Sequence, residues 1–142
     1  MKFVNAEINI IVHATEDENI IIKSLKDVLS LDTEKIEIIN SEGHWGNKIL
    51  LMKLQVFGTN ASDLLKTIFL GLNYFDREAI SNTHDFVDDK GYLYLRLDKQ
   101  KLCKKKIRLG TTDSIRLKFK PVQKFKNVDI LDEYRRFFLS IE

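Results

Sequence analysis

The chain has 142 residues, enough for one hydrophobic core, so 1–142 is read as a single domain. Hydrophobic residues make up 44%, which excludes a disordered chain, and a single Cys excludes an internal disulfide framework. The 23 bases and 21 acids give a formal net charge of +2, which excludes a histone-like polycation. The N-terminus reaches Glu7 before an apolar signal core can form. The longest apolar run, Ile49–Met52, is four residues, against the ~20 that a bilayer span needs. A soluble cytoplasmic protein with no membrane partner is expected.

Residues 4–13 alternate, with Val4, Ala6, Ile8, Ile10 and Val12 on one face, as in a half-buried strand. Thr15, with Glu18 three residues on, reads as a capping box for a helix over 16–30 that carries Ile21, Leu25, Val28 and Leu29. A short strand over 34–40, a loop over 41–47 with two glycines, and a strand over 48–57 read as a hairpin. Thr59 or Asn60 is expected to cap a helix over 61–74, and 76–89 holds a short helix and a loop. Residues 91–97 form a strand with Leu93, Leu95 and Leu97 inward and Tyr92, Tyr94 and Arg96 outward. A short helix falls within 98–106, and a strand over 113–120 buries Ile115, Leu117 and Phe119. Asn127 caps a last helix over 128–140. The order β-α-β-β-α-(α)-β-(α)-β-α implies an α+β two-layer sandwich, with helices on one face of a mostly antiparallel sheet.

Charge is unevenly placed. Residues 90–126 hold thirteen bases and two acids, a local +11, which leaves the remainder at −9. Arg116, Lys118 and Lys120 project from one strand face at a repeat of roughly 6.6 Å, comparable to the phosphate spacing of a single nucleic-acid strand. Tyr92, Tyr94 and Arg96 would add stacking surfaces to that face. Lys104, Lys105 and Lys106 extend the basic segment. The competing reading is a solvated face whose lysines block edge pairing.

No metal and no cofactor is expected. His13, His44, His84 and Cys103 have no zinc spacing, and neither a phosphate loop nor a nucleophile elbow occurs. Cys103, flanked by lysines, has no assigned partner base. The acid pairs Glu16-Asp17 and Asp88-Asp89 could serve a metal nuclease, but neither adjoins the basic strand in sequence. Trp45 and His44 sit on a glycine-hinged tip that could stack on a base, dock a protein, or fold back on the sheet.

Three clusters occur in order: His13-Ala14-Thr15-Glu16-Asp17, then Glu42-Gly43-His44-Trp45-Gly46-Asn47, then Tyr94-Leu95-Arg96-Leu97-Asp98-Lys99-Gln100. Together they resemble an archaeal family of small proteins described as predicted exosome subunits or RNA-binding proteins, over about residues 5–120. The resemblance implies a fold similar to the ribosomal protein that holds 5S RNA. Its motif positions here are His13, Thr15, Glu16, Asp17, His44, Gly46, Asn47 and Asp98, together with Arg96, Lys99 and Gln100, which are also expected among the RNA contacts. This chain departs from the family pattern at Lys48, where Pro is expected, and at Lys101-Leu102-Cys103, where small residues are expected.

The expected function is a non-catalytic, RNA-associated protein, an accessory factor of RNA processing that grips backbone through 90–126 and meets proteins of an RNA-processing complex. The alternative is an interaction module, or a homodimer, in which the acidic and basic patches pair and RNA is not bound. The motifs themselves have a structural alternative, in which Glu16 and Asp17 meet Arg96 and Lys99 as an ion-pair network.

Overall fold

The computed structural model describes residues 1–43, 45–82, 84–123 and 127–141, the side chains of Asn127 and Val128 excepted. His44, Lys124, Lys126 and the proposed Asn127 cap therefore lie outside the described residues.

Strand β1 (Phe3–His13) keeps the expected alternation from Ala6 to Val12. Val4 is a correction. Pairing with the last strand shifts between Phe3 and Asn5, and this bulge turns Val4 outward, 42% exposed, while Phe3 enters the core at 2%.

Helix α1 (Glu18–Leu29) begins later than expected, and its cap is Asp17, not Thr15. The Asp17 carboxylate accepts from the Asn19 N–H at 2.9 Å. Thr15 lies in the preceding turn, which Glu16 N–H closes onto the His13 carbonyl at 3.0 Å.

A 3-10 turn (Thr33–Lys35) is capped by Asp32, whose carboxylate accepts from Glu34 N–H at 3.3 Å. This delays strand β2 to Glu37–Glu42, three residues later than expected. Strand β3 (Lys48–Phe57) completes the hairpin.

Helix α2 (Thr59–Gly71) is capped by neither Thr59 nor Asn60. Gly58 holds that position at φ 57°, a conformation glycine adopts freely, and donates to the Val4 carbonyl at 3.1 Å. Helix α3 (Tyr74–Asn82), strand β4 (Leu93–Asp98), helix α4 (Lys99–Cys103), strand β5 (Ser114–Pro121) and helix α5 (Asn127–Ile141) follow in the expected order.

The five strands form one antiparallel sheet in the order β2-β3-β1-β5-β4. The chain is an α+β fold with helices against one face. Ala6, Ile8, Leu95, Leu117 and Phe119 bury that face against Leu25, Leu65, Ile68 and Phe138 from the helices. Phe69 and Phe138 stack at 4.6 Å between α2 and α5. Phe3 meets Phe119 edge-on at 5.6 Å, and such buried aromatic side chains each contribute about 1.5–3 kcal/mol. Among the described residues, no helix is long and apolar enough to cross a membrane.

The two sheet edges differ. The outer edge of β4 is covered on both halves. Tyr94 N–H donates to the Phe86 carbonyl at 2.7 Å, and Gly110 N–H to the Arg96 carbonyl at 2.8 Å. Every residue of β2, at the other edge, is exposed.

Candidate nucleic-acid interface

The sheet face away from the helices carries the basic strand. Arg116, Lys118 and Lys120 alternate with the buried Ile115, Leu117 and Phe119, so strand geometry alone sends all three to the uncovered side. Register supplies their neighbours. Arg116 stands between Arg96 on β4 and Asn9 on β1, and Lys118 between Tyr94 and Glu7. Lys120 is opposite Asn5. Asn9 is followed across the sheet by Lys53 on β3.

Two arginines directly opposite one another repel. Among the described residues, neither forms an ion pair; Arg96 only reaches the Thr111 carbonyl at 3.4 Å. A bound anion would relieve that repulsion.

The tyrosines join the same face. Lys118 Nζ lies 5.0 Å from the Tyr92 ring and 5.8 Å from the Tyr94 ring, and Lys120 Nζ lies 5.9 Å from Tyr92. Asp88 anchors both residues, Tyr92 through its main chain and Tyr94 through its ring hydroxyl. Its carboxylate accepts from Tyr92 N–H at 2.9 Å and from the Tyr94 hydroxyl at 3.0 Å. Partial burial and the hydrogen bond to Asp88 raise the Tyr94 pKa above its ordinary value.

The motif residues form a different structure. Lys99, expected among the RNA contacts, is only 1% exposed. Its ammonium donates to Glu16 Oε1 at 2.7 Å and to the Ile11 carbonyl at 2.8 Å, and it pairs with Asp113 Oδ1 at 2.8 Å. All three of its protons are thereby taken, so it offers a ligand nothing. Gln100 bridges the same acids, to Glu16 at 3.2 Å and Asp113 at 3.1 Å. The His13 N–H adds a 3.0 Å bond to Glu16.

Burial would raise the Glu16 and Asp113 pKa values. The hydrogen bonds and charge of Lys99 outweigh it and hold both carboxyls below their ordinary range. Burial would lower Lys99, and its two carboxylate partners instead raise it.

Of the proposed Glu16, Asp17, Arg96 and Lys99 network, only Glu16 and Lys99 meet. Asp17 caps α1, and Arg96 lies on the open face. Ligand atoms of His13, Glu16 and Asp113 lie within 4.8 Å of one another, but the Lys99 ammonium already supplies the positive charge between the two carboxylates.

The remaining positions scatter. Asp98 caps α4 through Lys101 N–H at 2.9 Å. Lys104, Lys105 and Lys106 are exposed but follow α4, which packs on α1, and so do not continue the β5 row. Gly46 has φ 76° in the hairpin tip, where the Asn47 carbonyl accepts from Gly43 N–H at 2.6 Å. Trp45 is 84% exposed and not folded back on the sheet. Asp88 is expected only as part of an acid pair, not as the partner of Tyr92 and Tyr94, and sequence reasoning misses Asp113, Asn9 and Lys53. Only strand register reveals the last two, and only the fold brings Asp113 to Lys99.

The chain is thus an α+β domain whose sheet is covered by helices on one face and carries arginines, lysines and tyrosines on the other. The chain belongs to the family described as RNA binding, whose model matches residues 5–121. RNA-binding protein PAB1135 of Pyrococcus abyssi is 30% identical over 103 residues, 68% of this chain and 67% of that protein. Uncharacterized protein MJ0213 of Methanocaldococcus jannaschii is 29% identical over 116 residues, 77% of each. Among solved structures, SSO0741 of Sulfolobus solfataricus is similar at 26% identity and TM-score 0.77, over 96% of this chain and 98% of that one. The DUF54 protein Mth689 of Methanothermobacter thermautotrophicus shares the fold at TM-score 0.78 and 23% identity, over 97% of this chain and 99% of that one.

Proposed function

We propose that this chain binds RNA on the open face of its sheet, without catalysing a reaction on it. The observation that carries the reading is the Arg96–Arg116 pair, set directly across two strands with no carboxylate partner among the described residues. Lys118 and Lys120 continue the row along β5. Membership of a family described as RNA binding supports the same polymer. An accessory place beside an RNA-processing complex, as the sequence resemblance implies, is the corresponding cellular role.

Backbone binding of this kind releases counterions, so affinity falls steeply with salt. Fluorescence anisotropy with a labelled RNA between about 50 and 300 mM salt tests it. The reading expects a log–log decline; salt-independent affinity, or none at all, contradicts it.

A second reading, self-association without RNA, has one specific support. Strand β2 is an uncovered edge whose Ile38 and Ile39 are both exposed. Light scattering separates the two: a salt-sensitive dimer lacking RNA affinity favours this one.

A further inference from the structure

On the open face, β1 pairs with β5 only as far as Asn9–Arg116. Beyond that pair the two strands part, and the space between them is a groove of about 450 Å³. Its floor is apolar. Ile11 on β1 is 43% exposed, and Leu51, its register partner on β3, is half-buried beside it. Arg116 flanks the groove on one side and Lys53 on the other, with Asn9 between them. Among the described residues, the Asn9 amide has no side-chain partner. The motif network builds the end wall. Lys99 holds the Ile11 carbonyl from one strand and the Asp113 carboxylate from the segment entering the other.

An apolar floor bordered by a row of two cations with an amide between them matches one part of a nucleic acid. The ring of a base takes the floor, its phosphates take Arg116 and Lys53, and its edge takes the donor and acceptor of Asn9. The two cations stand two strand spacings apart, roughly 10 Å, with Asn9 on the strand between them, and the Ile11–Leu51 floor lies in the next row, so a flat ring on the floor lies alongside the cations. An A-form duplex hides base faces in its own stack and would leave Ile11 and Leu51 uncovered.

We infer that the groove between β1 and β5 receives a single unpaired base, so that the RNA recognised is single-stranded at this point. The inference rests on the RNA-binding reading above. Arg116, Lys118 and Lys120 then hold the backbone of any RNA, and Ile11 and Leu51 select the unpaired form.

The test compares a labelled single-stranded RNA of about 12 nucleotides with its duplex, binding to the full chain. Ile11→Thr and Leu51→Thr are the variants, because threonine removes apolar surface while its β-branch favours the strand conformation at both positions. Wild type is expected to favour the single strand about tenfold, and either variant to lose most of that preference with duplex affinity unchanged. A second readout does not depend on the variants. RNA carrying 4-thiouridine, crosslinked to the wild-type chain, is expected to attach within residues 9–13 or 49–53. Equal affinity for both forms, a preference that the variants retain, or crosslinks confined to other segments overturns the base groove while leaving RNA binding in place. Affinity for neither form overturns both.

Discussion

Lys99 Nζ donates to the main-chain carbonyl of Ile11 at 2.8 Å, although the two residues lie 88 positions apart. This bond fastens the start of α4 to β1 at the place where β1 and β5 separate. With Glu16 and Asp113 it gives the family motifs a structural task, because the groove above Ile11 needs the two strands held apart yet fixed. The network thus holds β1 and α4 together beside the open face that carries Arg116, Lys118 and Lys120.

Lys99→Met removes the ammonium that joins the two carboxylates and leaves Glu16 and Asp113 facing each other. Breaking one partner of a buried pair is expected to cost about 3 kcal/mol, moderated here because Asp113 is partly hydrated. For a domain of this size the melting temperature should drop by about 10 °C. Binding of duplex RNA, measured well below the transition, should be unchanged, because Lys99 touches no solvent. A variant as stable as wild type would show that the network carries no stability.

The same network sets a pH dependence. Glu16 and Asp113 are held below their ordinary values of 4.5 and 3.8 in the folded chain. The unfolded chain therefore takes up protons first as pH falls. Their contribution to stability is complete above the ordinary values and is lost as pH falls through the folded ones. Lys99 has the opposite sign. Its folded value lies above 10.5, so its contribution is complete below that and is lost as pH rises beyond it. Urea midpoints measured between about pH 3 and pH 7 should fall on the acid side for wild type. They should fall less for Lys99→Met, whose carboxylates have lost the cation that depresses them.

Gly110→Ala tests how the loop before β5 is seated. A Cβ at this position would lie 2.8 Å from Asp98 Cα and 2.9 Å from Asp98 N, both backbone atoms that cannot swing aside. The substitution should push residues 108–110 off the edge of β4 and disturb Asp113, costing about 1–3 kcal/mol. Calorimetry on the variant checks the direction. An unchanged melting temperature would mean that the close approach is not maintained in solution.

Much of the fold is legible in the chain itself. The alternation in 93–98 and 114–121 places Arg96, Arg116, Lys118 and Lys120 on one face, and the element order holds throughout. What local pattern misses has physical causes. Val4 reads as core because period-two counting is blind to a bulge. Thr15 reads as a cap because its spacing to Glu18 fits, whereas Asp17, two residues nearer the helix, captures the Asn19 N–H. Lys99 reads as a surface cation because its partners lie 83 and 14 residues away. The groove over Ile11 and Leu51 depends on where two strands part, which no periodicity encodes.

The most direct test of the account is the salt dependence of RNA affinity for wild type and for the triple substitution Arg116→Ala, Lys118→Ala, Lys120→Ala. These side chains are on the uncovered face, so the triple variant should fold as wild type does. Each lost contact to a single-stranded phosphate makes the slope of log affinity against log salt shallower by about 0.7, so the account predicts a change of about 2. A triple variant that keeps both the wild-type affinity and the wild-type slope would contradict the open face as the RNA-binding surface.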